Sequence, residues 1–162
     1  MAPQVVLRPL EPEDAAELRR IHQTPGVAAW WDLPDEDFPF DEPEATRFAI
    51  EVGGQVAGLI QYSEELEPKY RHAAIDVFLD PALHGRGIGT EAVQRVVRLL
   101  TEEHGHHRIV IDPAVENVAA VRAYEKAGFR AVGVMRLAER DADGRGWHDS
   151  LLMELVLPEA LP

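Results

Sequence analysis

His84-Gly85-Arg86-Gly87-Ile88-Gly89-Thr90 is the stretch on which the reading of this chain turns. Glycine at every second position, directly before a helical pattern, lets successive backbone N–H groups converge on one anion without Cβ interference. The positive end of the helix that follows adds its own attraction. A diphosphate is the natural ligand of such a turn, with Arg86 able to add a charge-assisted contact. Downstream, Ile88, Ala92, Val93, Val96, Val97 and Leu100 recur on one helical face, and Glu91, Gln94, Arg95 and Arg98 lie opposite, so the turn opens a helix that packs on a sheet.

Upstream, Val5–Leu10 reads as a strand and Glu11-Pro12-Glu13-Asp14 as the start of a helix to about His22, stopped at Thr24-Pro25-Gly26. The segment from Val27 to Glu44, with Trp30, Trp31, several acids and three prolines, reads as a long irregular loop of the kind that carries function. Residues 48–52 and 55–62 form a predicted hairpin closed by Gly53-Gly54, and residues 72–79 a further strand ending at Asp80-Pro81. Beyond the glycine turn, Arg108–Asp112 is a short strand and Asn117 caps a helix ending at Gly128. Two strands follow near 129–136 and 147–157, giving an α+β order with a strand-rich end.

A dinucleotide site is the first competitor, because Gly87-Ile88-Gly89-Thr90-Glu91-Ala92 formally matches that fingerprint and Asp112 stands where a ribose-binding acid would. The mid-chain position of the glycines, their separation from the preceding strand, and the consecutive strands downstream leave too little βαβ repetition for it. The 162 residues suit one domain. The absence of cysteine excludes disulfides, thiolate metal sites and a cysteine acyl-enzyme. Asp and Glu number 29 against 16 Lys and Arg, a formal net charge of −13 that repels nucleic acid and anionic lipid and suits a cationic partner. The opening residues resemble neither a signal peptide nor a membrane span, so a cytoplasmic location is expected, as a monomer or homodimer. No metal site is expected: His104-Gly105-His106-His107, a glycine-interrupted cluster at a helix end, lacks the acid or cysteine companions of most zinc sites.

The run Asp112-Pro113-Ala114-Val115-Glu116-Asn117, continuing to Tyr124-Glu125-Lys126-Ala127-Gly128-Phe129, follows the glycine turn at a spacing that resembles the GCN5-related N-acetyltransferase (GNAT) family, and the resemblance extends from the first strand to the last. His84 departs from it, standing where the family commonly has Gln or Arg. The resemblance implies a mixed, mostly antiparallel sheet, splayed where acetyl-coenzyme A inserts and flanked by helices. It implies cofactor contacts from Val77, Phe78 and Leu79 on the central strand, from His84, Gly85, Arg86, Gly87, Ile88, Gly89 and Thr90 in the turn, and from Asn117, Ala120 and Tyr124 on the following helix. Asp76 then stands in the place of a general base, and Tyr124 in the place of the acid that protonates the leaving thiolate.

Trp30-Trp31, Ile75-Asp76 and Ile111-Asp112-Pro113 most resemble aminoglycoside 6′-N-acetyltransferases, enzymes of antibiotic resistance. On that reading Trp30, Trp31, Asp32, Asp76, Asp112 and Asp143 face a small cationic amine. Polyamine, small-amine or protein N-terminal acetylation is the alternative within the same chemistry, and a non-catalytic acyl-coenzyme A-binding module the alternative outside it. Asp143 lies in Asp141-Ala142-Asp143-Gly144, which is explained equally well as a hairpin turn.

Overall fold

In the computed structural model, which describes residues 3–161, seven strands form one sheet in the order β1-β2-β3-β4-β5-β7-β6. They are β1 Val5–Pro9, β2 Thr46–Val52, β3 Gln55–Glu65, β4 His72–Leu79, β5 Arg108–Ile111, β6 Arg130–Arg140 and β7 Trp147–Val156. The helices are α1 Ala15–His22, α2 Pro25–Ala28, α3 Ile88–Arg98 and α4 Val118–Ala127. Every strand pair is antiparallel except β4 with β5. This single parallel pair needs a crossover, and α3 supplies it.

The β4–β5 pairing covers only Ala73–Ile109 and Ala74–Val110, whereas β4 continues along β3 to Leu79. Beyond Ala74, therefore, the β5 edge of β4 runs without a strand partner. This is the splay that positions the site. Where β4 ends, its backbone closes on β3 at Gly58: a Cβ there would lie 2.2 Å from the Phe78 carbonyl oxygen and 2.9 Å from Leu79 Cα, so no larger residue fits without moving the strand.

Two cores clamp the central strands from opposite faces, as the two-residue period of a strand requires. The predicted face of α3 is wholly buried with Ile60, Ile75, Ile109 and Met153. On the other face Leu18 and Ile21 of α1 pack with Val27, Phe38, Leu59 and Phe78.

Several local expectations are modified. Thr24-Pro25-Gly26 ends α1 but also starts the single turn α2, with Pro25 in the first turn where its missing N–H costs nothing. The strand predicted over 129–136 extends to Arg140, past an irregularity between Met135 and Glu139. Gly53 and Gly54, with φ of 59° and 78°, form the β2–β3 turn as their dipeptide predicts. Among the described residues no helix is long and apolar enough to cross a membrane.

Candidate functional site

The glycine turn leaves β4 through Asp80-Pro81 and enters α3. Gly85 and Gly87 take φ of 78° and 79°, a left-handed conformation costly to any side chain, and Gly87 occupies the N-cap position of α3 without a capping side chain. A Cβ built on Gly85, Gly87 or Gly89 would meet no protein atom within 4 Å. Packing therefore does not demand small residues here; the space they leave open is a cavity of about 370 Å³. Into it face Val77, Phe78 and Leu79 of β4, the turn from His84 through Thr90 with the exception of Arg86, and Asn117, Ala120 and Tyr124 of α4.

Arg86 is exposed and does not line the cavity. Arg122 and Lys126, which the sequence reading passed over, do line it. With Ala119 and Ala123 they follow the helical i, i+3, i+4, i+7 spacing of one face of α4, a signal that could have found them. His84 keeps its place in the wall, with Nε2 3.2 Å from the Leu79 carbonyl oxygen. Asn117 accepts a hydrogen bond from the Ala120 N–H at 3.3 Å, as an N-cap should. An open glycine cradle on an uncapped helix end, with two cations across from it, fits a group bearing a pyrophosphate.

A second cavity, of about 390 Å³, opens on the other side of the splay. Trp30, Trp31, Val77, Asn117 and Tyr124 line both cavities and form the partition between them. The second cavity is acidic: Asp32, Asp41, Glu42, Asp76, Asp112 and Glu139 border it, against the single guanidinium of Arg47. Asp76, Asp112, Asp32 and both tryptophans thus come together as expected. Asp143 does not. Its carboxylate accepts from the Arg145 N–H at 2.9 Å within the β6–β7 turn, where Gly144 N–H also donates to the Asp141 carbonyl, so the hairpin reading of this segment replaces the acceptor-binding one.

Glu139 takes the place expected of Asp143. Its strand would carry it past the cavity were β6 regular, but three residues are bulged between the Met135–Ser150 and Glu139–His148 pairs. The bulge is held by Leu137, whose φ of 47° is left-handed and whose N–H donates to Asp149 Oδ1 at 2.8 Å. Such an irregularity re-aims side chains and is invisible to a period-two pattern.

The two tryptophans divide their roles. Trp31 packs edge-on against Phe78 at 5.0 Å and leans on the α1-side core, whereas Trp30 stands at 6.1 Å from the His148 ring on the cavity rim.

Asp76 sits on the exposed edge of the splay, reached by solvent in the cleft but enclosed by protein beyond it. This enclosure, with the charge of Asp112 next and those of Glu139 and Glu42 further off, raises its pKa to about 6, against the opposing hydrogen bond from Gln61. The Gln61 orientation is set by Arg47, whose Nε donates to Gln61 Oε1 at 2.7 Å, so the amide nitrogen must point at Asp76 Oδ2, 3.4 Å away. Arg47 in turn is nearly buried on Asp41 at 2.6 Å. Burial, then the charges of Asp76 and Asp112, push the Tyr124 phenol upward, so it stays protonated at all working pH values. Asp112 and Glu139 are also raised, each mainly by burial.

One premise about metals is corrected. The sequence shows no acidic companion for the histidine run, but the fold supplies Glu64 from β3, with Oε2 2.6 Å from His106 Nε2 and 3.2 Å from His104 Nδ1.

A glycine cradle suited to an anion and an acidic cavity suited to a cation, divided by one shared wall, are what a group-transfer enzyme with a carrier-bound donor needs. Residues 13–129 match the Acetyltransferase (GNAT) family, and the chain belongs to it. It is an acetyl-coenzyme A-dependent N-acetyltransferase acting on amines. Among its relatives, a spermidine N(1)-acetyltransferase of Escherichia coli is 28% identical over 82% of this chain and 76% of its own length. An aminoglycoside N(6′)-acetyltransferase of Klebsiella pneumoniae is 28% identical over 81% of this chain and 76% of its own. Of solved structures, the spermidine N-acetyltransferase of Vibrio cholerae with coenzyme A and spermine superposes with a TM-score of 0.79 at 22% identity, covering 98% of this chain and 99% of that one. An aminoglycoside acetyltransferase with coenzyme A and kanamycin gives 0.76 at 24%, covering 97% and 96%.

Proposed function

We propose that the chain acetylates a primary amine of a polycationic acceptor, with the 6′-amino group of an aminoglycoside as the preferred substrate. The observation that carries this reading is the placement of Tyr124 in the partition between the two cavities, beside Asp76 in the acidic one. Bound acetyl-coenzyme A supplies an activated acetyl thioester. The glycine turn and the α3 N-terminus hold its pyrophosphate, Arg122 and Lys126 balance further negative charge, and β4 beyond Ala74 offers unpaired backbone along the arm.

An acceptor ammonium cannot attack until it loses a proton. Asp76, with a pKa of about 6, is ionised at neutral pH yet basic enough to take that proton. Asp112, Glu139 and Asp32 attract the remaining ammonium groups of the acceptor, and Trp30 offers a flat face to a sugar ring. The Tyr124 hydroxyl, held as a neutral phenol, gives a proton to the departing sulfur. Of the two protons the ammonium nitrogen loses, one is released to solvent through Asp76 and the other replaces the proton that Tyr124 gives to sulfur, so the balance closes with a thiol, an amide and one free proton.

A linear polyamine is the second reading, favoured by the equal identity of the spermidine and aminoglycoside relatives. Thiol release from acetyl-coenzyme A, measured with kanamycin-type sugars, spermidine, spermine and basic peptides, separates the two. A kcat/KM highest for the sugars supports the first reading, and one highest for the linear amines replaces it with the second. No turnover with any amine overturns both.

A further inference from the structure

We propose that Glu64, His104 and His106 form a binding site for a zinc-class divalent ion, remote from the acetyl-transfer chemistry. The three donor atoms, one carboxylate oxygen and two ring nitrogens, lie within 4.8 Å of one another. Donors around a tetrahedral zinc stand about 3.3 Å apart, given bonds of about 2.0–2.2 Å. The 2.6 Å and 3.2 Å separations from Glu64 Oε2 therefore need to open by only a few tenths of an ångström on average to admit the ion. Two imidazoles and a carboxylate favour Zn²⁺, Co²⁺ or Ni²⁺ over Mg²⁺ or Ca²⁺.

The backbone prepares this convergence. After α3 the chain widens into a π-helical turn, Leu99–Glu103, whose last bond runs from the His104 N–H to the Leu99 carbonyl at 3.2 Å. Gly105, at φ 72°, then reverses the chain so that residues on either side of it reach the same carboxylate. The His106 N–H is tied back to the Leu100 carbonyl, and Arg71 spans the reversal, donating to the carbonyls of both His104 and Gly105. A loop held by two main-chain hydrogen bonds and two from the Arg71 guanidinium keeps its donors in place before any ion arrives.

Access and limits on affinity are also visible. His106 is fully buried, while the side chains of His104 and Glu64 retain 31% and 23% exposure, leaving an entry route and room for a water as the fourth ligand. The other ring nitrogen of His106, Nδ1, is buried without a hydrogen-bond partner. With the ion on Nε2 that nitrogen carries an unpaired proton, and the missing outer partner weakens binding by about 10- to 100-fold relative to a fully supported histidine. Joining the end of β3 to the turn after α3, the ion would act as a staple at the end of the sheet opposite the glycine cradle.

The test is a Co²⁺ titration of the untagged, EDTA-stripped full chain, followed by visible d–d absorption and by displacement with Zn²⁺. One equivalent with an intense tetrahedral band is expected, lost in His104→Ala and in Glu64→Gln. These two positions are partly exposed and their replacement spares the buried His106. In parallel, Zn²⁺ at about a hundredfold excess over Kd should raise Tm by about 5–10 °C in the native chain and in neither variant. Absence of a band, or equal binding by both variants and the native chain, overturns the proposal and leaves Glu64 as an ion-pair partner of two histidines.

Discussion

The two cavities meet at Tyr124 yet are built on opposite plans. The cavity proposed for the donor is made largely of main chain: glycines at positive φ, a helix end without a cap, a strand edge without a partner. The cavity proposed for the acceptor is made of side chains, six carboxylates gathered from the Trp loop, β4, the end of β5 and the bulge in β6. A main-chain site tolerates change in its neighbours but not in its glycines. A side-chain site can be retuned one residue at a time, which is how one fold can serve polyamine and aminoglycoside acceptors in different relatives.

The sharpest way to break this division is at Asp76, which should matter to chemistry and not to the donor. Asp76→Asn is expected to lower kcat by about 10²- to 10⁴-fold, the range for loss of a general base. Coenzyme A affinity by calorimetry should not move. The same change should raise Tm at neutral pH: an acid whose folded pKa lies above its unfolded value costs stability when ionised, and that cost disappears as pH falls below the unfolded value. A mutant that keeps its rate, or that loses coenzyme A affinity, puts Asp76 on the wrong side of the wall.

Next in size, Tyr124→Phe should reduce kcat by about 10²-fold while preserving the fold, since only a hydroxyl is removed from a buried ring. The effect should shrink with a thioester whose thiol is more acidic, because a better leaving group needs less protonation. If the loss is the same for both thioesters, Tyr124 packs the partition and does not donate across it.

The contrast between the cavities also explains what could be read in the sequence. Gly85, Gly87 and Gly89 lie within five residues, and the α3 face repeats regularly, so the donor side and the crossover helix were legible locally. That Asn117 and Tyr124 reach the same wall was legible because one helix and its cap carry both. Glu139 and Asp41 were not: the first depends on a bulge, the second on a loop brought in by Arg47, and neither leaves a periodic trace. Asp143 stays outside the acidic cavity for the complementary reason, that an acid close in sequence to it is engaged in its own turn. Gly58, fixed by the approach of β4, and Glu64, forty residues from His104, express contacts that only the folded sheet creates.

Gly89→Ala isolates the donor side more cleanly than Gly87→Val, which mixes steric blockage with left-handed strain at φ 79°. Gly89 lies within α3, and its added methyl meets no protein atom. Stability should therefore stay level or rise by up to about 1 kcal/mol. Coenzyme A affinity should fall by about tenfold, because the methyl occupies the cradle; a loss near 1.4 kcal/mol corresponds to that factor. Stability and affinity moving in opposite directions identifies a residue kept for its ligand. If affinity is unchanged, the pyrophosphate lies elsewhere along the cavity.

The smallest effect expected is a displacement of a pH profile. The acid limb of kcat/KM reports the free enzyme's base and should fall near pH 6 if that base is Asp76. The charge of Asp112 is the second-largest cause of that raised value, after burial. Asp112→Asn removes a negative neighbour, makes ionised Asp76 easier to form, and moves the limb to lower pH. Its height should drop as well through weaker ammonium binding, so the position of the limb is the quantity to compare. Glu139→Gln, lower in the order of causes, should move it in the same direction by less. A limb that stays fixed in both variants assigns proton removal to a group outside the acidic cavity, and the division between a main-chain donor site and a side-chain acceptor site would then lose its catalytic half.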